Sequence, residues 1–478
     1  MSGTVVLGAG LGGLSFAHYY LKRFPKETVT ILEASERVGG WMRSIKKNGL
    51  IIEKGPRSIR PRGLPGANTL QLVQDLALSE QIVAIPSNHP AALNRMIYVN
   101  GELHRLPNNV MSLFKKQPPF SQPLYKYLLN FLTSATKPIP ENDESIYSFV
   151  NRKFGIEVAD YLISPLICGI CAGDAKEISV RFLMDSLFEK DQRHGTMLQA
   201  FVIDGLSSFG KKGEDVPKSD LYQKAAKEKW SIFSFKDGIE VLPQGLERWL
   251  KKEQRCSIVL NKQCKQLELS KNAAKVTLSD KSEIRAKHVV SSLPASKIGN
   301  LVKKQYPILG DLLNSIPTVT VAVVNLEYDK KLPIKPGFGF LVPPKENLPI
   351  LGVIFDSCCF EHYPNEFENR TLLTVMLGGR WYDKYFDRSS GDEEILNITF
   401  KHLATILNVK ERPVFADVSV LENCIPQYIV GHVKQVKEIR KFVHEHDLPL
   451  SLCGSSYDGV GINDVILSAK NAVERGSG

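Results

Sequence analysis

The residues best suited to chemistry stand within the first forty positions of this 478-residue chain. Gly8, Gly10 and Gly13 fall at the spacing G-x-G-x-x-G in the run Gly8-Ala9-Gly10-Leu11-Gly12-Gly13, and Glu33 follows twenty residues beyond the last of them. Glycines at that spacing let bare backbone approach a pyrophosphate. Gly8 permits a tight turn, Gly10 has no Cβ to hold phosphates away, and Gly13 lets a helix close on a strand. Glu33 can accept hydrogen bonds from both ribose hydroxyls of an adenosine and would repel a 2′-phosphate. The chemistry implied is redox chemistry through a bound dinucleotide, and the motif alone does not choose between nicotinamide and flavin. A second candidate, the C-x-x-C pair Cys168 and Cys171, has no second pair or neighbouring histidines to complete a zinc site, so no metal is expected. A redox role for the pair is possible, but most such pairs are simply packed, and eight cysteines in so long a chain make no disulfide framework.

The elements that must position these residues are legible around them. Thr4-Val5-Val6-Leu7 reads as a buried strand that starts at about Val5, and Leu14, Phe16, Ala17, Tyr20 and Leu21 recur at helical spacing after the glycines. The helix start would turn unpaired N–H groups and a positive dipole end toward the phosphates. Val29 to Leu32 is a second strand, and Glu33 ends it. The length predicts two or three domains. A composition of 43% apolar and 23% charged residues excludes collagen, coiled coil and wholesale disorder. The net charge of +10 favours anionic partners, yet no run of five basic residues occurs, so nucleic acid is not expected. No run of about 18 apolar residues could cross a bilayer. The apolar start lacks a basic leader and is broken at Gly8, so targeting information is expected to be internal or uncleaved.

The flavin reading comes from the residues that follow. Glu33-Ala34-Ser35-Glu36-Arg37-Val38-Gly39-Gly40, with Arg43 beyond, resembles the flavin oxidoreductases that include amine oxidases, phytoene desaturases and protoporphyrinogen oxidases. Trp41 stands where many members carry Arg, as protoporphyrinogen oxidases tend to. Gly55-Pro56-Arg57, His89-Pro90-Ala91-Ala92, Asn94-Arg95, Gly337-Phe338-Gly339, Val375 to Gly379, Asn423 to Tyr428 and Ser456 to Val460 resemble segments of the animal protoporphyrinogen oxidase family, in order, from first strand to last helix. The resemblance implies FAD as cofactor. The implied contacts are Gly8, Ala9, Gly10, Leu11, Gly12, Gly13, Glu33, Ala34, Arg37, Gly40, Trp41, Arg43, Gly55, Pro56, Arg57, Ser58, Cys264, Ser455, Gly459, Val460 and Gly461. Leu450 to Leu452 reads independently as a strand, followed by a turn and a helix carrying Ile462, Val465, Ile466, Ala469 and Val473. By itself that helix is as well explained by capping a sheet; in the family its N-terminus faces the pyrimidine end of the flavin.

The implied architecture is α/β. A discontinuous Rossmann-like FAD-binding domain would comprise residues 1–90, 200–312 and 412–478. A mixed-sheet substrate domain would comprise 91–108 and 313–411, with strands over Thr318 to Leu326 and Leu372 to Leu377. Residues 109–199 would form a helical, membrane-associated domain, and Asp204 to Asp220 a surface loop. The strand Val289 to Pro294 would lead out of the cofactor sheet. The implied reaction is the six-electron oxidation of protoporphyrinogen IX to protoporphyrin IX, with oxygen as acceptor and hydrogen peroxide released, a step of haem biosynthesis. Flavin N5 takes the hydride, so no side chain is named as general acid or base. The porphyrinogen is apolar with propionates at one edge, which asks for an apolar slot and a cation. The family alignment nominates Arg95 as the cation, Phe338, Leu341, Leu351, Ile354 and Met376 along the slot, and Leu166, Gly169 and Ile425 opposite; by residue type alone, these are a surface Arg and core residues.

The apolar and aromatic residues from Val110 to Leu132, with Lys115, Lys116 and Lys126 among them, fit a helix lying on a membrane surface. An ordinary helix with its apolar face inward gives the same pattern and is the commoner case. The family implies a homodimer bound peripherally to the mitochondrial inner membrane on its intermembrane-space side. One departure stands out, because Cys168 occupies a position where animal relatives carry Arg, just before Gly169. Two other readings stay open: an amine oxidase, whose covalent flavin attachment motif is not matched around Cys424 or Cys453, and a non-catalytic scaffold of the same fold, which intact Glu33 and Arg37 argue against.

Overall fold

The computed structural model describes residues 2–47, 49–135, 142–207, 218–359, 369–387 and 389–475. Its principal strands are, in chain order, β1 Ser2–Leu7, β2 Val29–Leu32, β3 Arg95–Val99, β4 Glu102–Arg105, β5 Cys256–Val259, β6 Cys264–Ser270, β7 Ala273–Leu278, β8 Glu283–Ser291, β9 Thr318–Tyr328, β10 Gly339–Leu341, β11 Ile350–Phe355, β12 Thr371–Gly379, β13 Phe415–Pro426 and β14 Leu450–Leu452. The chain divides into two compact units, one of Met1–Ala84, Val216–Pro317 and Val433–Gly478, the other of Ile85–Asp215 and Thr318–His432.

The first unit is built on a sheet of order β6-β7-β8-β1-β2-β5, with β14 pairing the far half of β8. Its centre, β14-β8-β1-β2-β5, is parallel, while β6 and β7 join antiparallel. A parallel sheet is covered on both faces, so its strands are continuous apolar runs. Val5 and Leu7 pack into one core, Val6 into the other, and all three are buried. Each such side chain contributes about 1.5–3 kcal/mol by leaving water. The first helix, Leu11–Arg23, and the last, Ile462–Arg475, pack against each other.

The second unit holds a mixed sheet of order β13-β9-β12-β11-β10-β3-β4, antiparallel except where β10 runs parallel to β3. One face carries a continuous core that includes Met96, Phe340, Val353, Val375 and Val324. The helices Ile146–Phe154, Ser164–Cys171, Asp185–Arg193 and Met197–Ser207 belong to this same unit.

Several sequence expectations need correcting. Residues 109–199 do not separate from the mixed sheet; they cluster with it. Residues 412–432, expected with the cofactor domain, supply β13, which pairs with β9 from Phe415↔Glu327 to Pro426↔Thr318. Strand pairing partners are set by long-range register, which residue periodicity does not encode. The stretch from Val110 is not one helix. It is a 3₁₀ turn at Val110–Phe114 and a helix at Leu124–Thr133, because Pro118, Pro119 and Pro123 deny the backbone its helical N–H donors between them. Of the loop expected over Asp204 to Asp220, the first four residues end the helix Met197–Ser207, Asp220 begins the helix Asp220–Lys227, and 208–217 lie outside the described residues. No described helix is long and apolar enough to cross a membrane.

Candidate functional site

In the first unit β1 ends at Leu7, and Gly8 turns the chain at φ +97°, donating its N–H to the Leu32 carbonyl at 2.8 Å. Only glycine takes that conformation without strain. A Cβ on Gly13 would sit far inside contact distance of the Gly8 carbonyl oxygen, so helix and strand close here as expected. A Cβ on Gly10 would meet nothing nearer than the Gly40 Cα at 3.9 Å. The backbone at Gly10 therefore faces open space, which is the cradle a diphosphate needs. Ser292, at the end of β8, presses its hydroxyl against the Leu7 and Gly8 carbonyls at 3.0 and 3.2 Å. The sequence gives no signal for that brace beyond a small polar residue after a strand.

Glu33 is already engaged on one side. Its Oε2 accepts from the Ala9 N–H at 2.8 Å, and its Oε1 from the Ser35 N–H and hydroxyl at 2.9 and 2.8 Å. A carboxylate offers about four lone-pair sites. Three donors leave room for a ribose hydroxyl, and the Ala9 bond ties the acid to the glycine turn. Residues 261–262 donate to the Ser35 and Glu33 carbonyls at 2.9 and 2.8 Å, which draws the start of β6, and Cys264 with it, to this end of the sheet. The Cys264 thiol is half-buried, and burial pushes it up to about 11.

Arg37 acts on its own turn. Its Nη1 donates to the Val38 and Met42 carbonyls at 3.0 and 3.2 Å and faces Glu240, while Nη2 donates to the Gly40 carbonyl at 2.5 Å. Gly39 and Gly40 both have positive φ, and the Gly39 N–H donates to the Ala9 carbonyl at 2.8 Å, so the pair lies directly on the glycine turn. Trp41 and Arg43 are exposed. Gly55 must be glycine because a Cβ would strike the Trp41 carbonyl, and this holds Pro56, Arg57 and Ser58 beside that loop; Arg57 is buried. At the C-terminal end, Ser455, Gly459, Val460 and Gly461 lie between β14 and the last helix. Gly459 has φ +131°, and the Gly461 N–H donates to Asp464 at 3.2 Å. Asn463 donates to the Arg60 carbonyl at 2.8 Å, joining this loop to the segment after Ser58.

The second unit brings most of the expected slot residues onto one sheet face. Register pairs Arg95 with Gly339, Gly339 with Ile354, Leu341 with Gly352, and Gly352 with Met376, so Arg95, Leu341, Ile354 and Met376 share a face, opposite the main core. Leu351, Met376 and Ile425 join a smaller cluster on that side with Cys168 and Val323. The helix Ser164–Cys171 packs against β10 and β11, and a Cβ on either Gly169 or Gly352 would reach 2.9 Å from a Leu341 methyl. Leu166 is one helical turn from Gly169. Phe338 is not placed by this pairing: it precedes β10, and Gly339 at φ +135° interrupts the extended backbone between it and Leu341. Arg95 is exposed at the end of the face.

The thiols carry little chemistry. Cys168 and Cys171 are buried, with burial raising both, Cys171 to about 12, so their thiolates are disfavoured. The same holds for Cys424 and Cys453, each pushed up to about 12. Among the described residues, no group of three His, Cys, Asp or Glu could hold a metal.

A glycine turn on a parallel sheet, an acid tied to that turn and a second, mixed sheet are the parts of a dinucleotide-binding oxidoreductase fold. Residues 11–475 match the model of the flavin-containing amine oxidoreductases, and the chain belongs to that family. Protoporphyrinogen oxidase of Homo sapiens is 39% identical over 98% of this chain and 97% of its own length. Coproporphyrinogen III oxidase of Bacillus subtilis is 27% identical over 98% of this chain and 97% of its own. A candidate protoporphyrinogen oxidase from Exiguobacterium sp. 255-15 shares the fold, with a TM-score of 0.78 at 23% identity, covering 99% of this chain and 98% of that one.

Proposed function

We propose that this chain is an FAD-dependent oxidase that converts protoporphyrinogen IX to protoporphyrin IX, passing the electrons to oxygen and releasing hydrogen peroxide. The observation that carries the reading is the sheet face on which apolar Leu341, Leu351, Ile354 and Met376 run toward the cation Arg95. The full-length likeness to the human relative supports the same substrate. FAD fits the cradle at Gly10 and the open acceptor of Glu33, and when bound it supplies the hydride acceptor. The side chains of this protein do the rest. Arg95 would hold a propionate through two parallel hydrogen bonds. The apolar face would orient the ring and keep water off it. No proton-transferring group is assigned.

The likeness to the Bacillus subtilis relative supports a second reading, in which coproporphyrinogen is the substrate. Anaerobic mixing of the flavin-loaded protein with each reduced tetrapyrrole separates them. Protoporphyrinogen should bleach the flavin the faster. Bleaching by neither, with reduction by an amine instead, would sink the reading.

Membrane attachment belongs to the same reading. Val110, Met111 and Phe114 are 70%, 71% and 59% exposed, Leu128 and Leu129 are also exposed, and Lys115, Lys116 and Lys126 stand among them. Apolar side chains flanked by cations suit the surface of an anionic bilayer, here the inner mitochondrial membrane, with the protein as a peripheral homodimer. Changing Val110, Met111, Phe114 and Leu129 to Ser should release the protein from anionic liposomes without unfolding it. Undiminished liposome binding would overturn this.

A further inference from the structure

Asp458 belongs to none of the contacts expected for the cofactor, yet the loop between β14 and the last helix is organised around it. Its carboxylate accepts from Arg440 Nη2 through both oxygens, at 2.7 and 2.8 Å. Arg475 stands 3.6 Å from Oδ2. The Ser468 hydroxyl donates to the same Oδ2 at 2.6 Å, and the Gly454 N–H donates to the Ser468 oxygen at 3.1 Å. A hydroxyl has one proton. Because Ser468 gives it to Asp458, its lone pairs face Gly454, and the chain of bonds has a single direction from backbone amide to carboxylate. Hydrogen bonds between charged groups are stronger than neutral ones, and two arginines hold this carboxylate in place.

Gly454 is where the loop leaves the sheet, at φ +104°. Ser456 accepts from the Ala295 N–H at 3.1 Å, and Asp464 closes on Gly461. The segment carrying Ser455, Gly459, Val460 and Gly461 is thus pinned at its start, its middle and its end, and Asp458 supplies a charged anchor within the loop itself. We infer that Asp458 is the positioning residue for the C-terminal flavin loop, acting through Ser468 on the Gly454 amide and braced by Arg440. The inference rests on the flavin reading of that loop.

The test is FAD titration of apoprotein prepared from wild type, Asp458→Asn and Ser468→Ala, with the visible spectrum of bound flavin and the melting temperature of each apoprotein. Loss of a bond to a charged group predicts that Asp458→Asn weakens FAD binding about tenfold or more, and Ser468→Ala about fivefold. Both should shift the flavin band shape, with apoprotein melting changed little in Ser468→Ala. Should Asp458→Asn not fold, Ser468→Ala carries the same comparison. Wild type that takes up FAD beside variants with equal affinity and identical spectra overturns this inference alone. Wild type that takes up no FAD overturns the flavin reading and this inference with it.

Discussion

The glycine turn of the first unit and the slot face of the second are built from opposite materials. At the turn, backbone does the work: Gly8, Gly10, Gly13, Gly39 and Gly40 bring chain against chain with no side chain between, and the two charged residues, Glu33 and Arg37, are fastened to that backbone. On the mixed sheet, side chains do it: Leu341, Ile354 and Met376 present methyls from three strands, and Arg95 stands at the margin, exposed. A backbone site fails when any Cβ is added. A side-chain site of this kind degrades gradually, since apolar swaps of similar volume cost little.

That contrast is open to attack in order of effect. Gly13→Val should be the most damaging, because the new side chain collides with the Gly8 carbonyl; destabilisation of about 3 kcal/mol or more is expected in urea unfolding. Gly10→Val separates binding from folding. With nothing closer than 3.9 Å to resist a Cβ, the chain should melt like wild-type apoprotein and yet purify colourless. A yellow Gly10→Val protein would mean that the diphosphate does not approach there. Arg95→Ala should keep its flavin and its maximal rate while KM for the porphyrinogen rises about tenfold to a hundredfold, the cost of a lost bidentate ion pair. A fall in kcat with KM unchanged would remove Arg95 from substrate binding.

The smallest effect is on stability in acid, and it lies in the first unit. Burial lowers His18 and His288 from 6.5 to about 4. The unfolded chain takes up these protons near pH 6.5 and the folded chain resists them until about pH 4, so stability is undiminished above 6.5 and falls through that window as pH falls. From pH 6.5 to 5, each histidine should cost about 2 kcal/mol. His18 packs edge-on against Trp249, and both of its ring nitrogens are buried with no hydrogen-bond partner among the described residues. His18→Phe should therefore flatten the urea midpoint between pH 7 and 5 by roughly half; an unaltered slope would assign the acid loss elsewhere.

Legibility in the sequence follows the same division. The first strand begins at Ser2, ahead of the expected start at about Val5, and the turn, helix and second strand that follow lie where residue types and spacing put them, because only glycine takes the positive-φ turn without strain and β-branched residues favour strands. The role of Ser292, which meets Gly8 from 284 positions away, has no local signature. The slot residues look like any core residues, and only the family alignment nominated them. Of those residues, Arg95, Leu341, Leu351, Ile354, Met376 and Ile425 lie on one side of the mixed sheet and Leu166 and Gly169 on the helix beside it, while the pairing does not place Phe338. The membership of β13 and of the helices after Asn108 was also unreadable, since both depend on contacts far along the chain.

The most direct measurement is the flavin content of freshly purified protein after acid precipitation. Free FAD equimolar with the chain, recovered in the supernatant and absent from a Gly10→Val preparation, is the expected result. Protein that carries no flavin and takes up none, or yellow colour that stays on the precipitated chain, would contradict a non-covalent FAD cradle at the glycine turn.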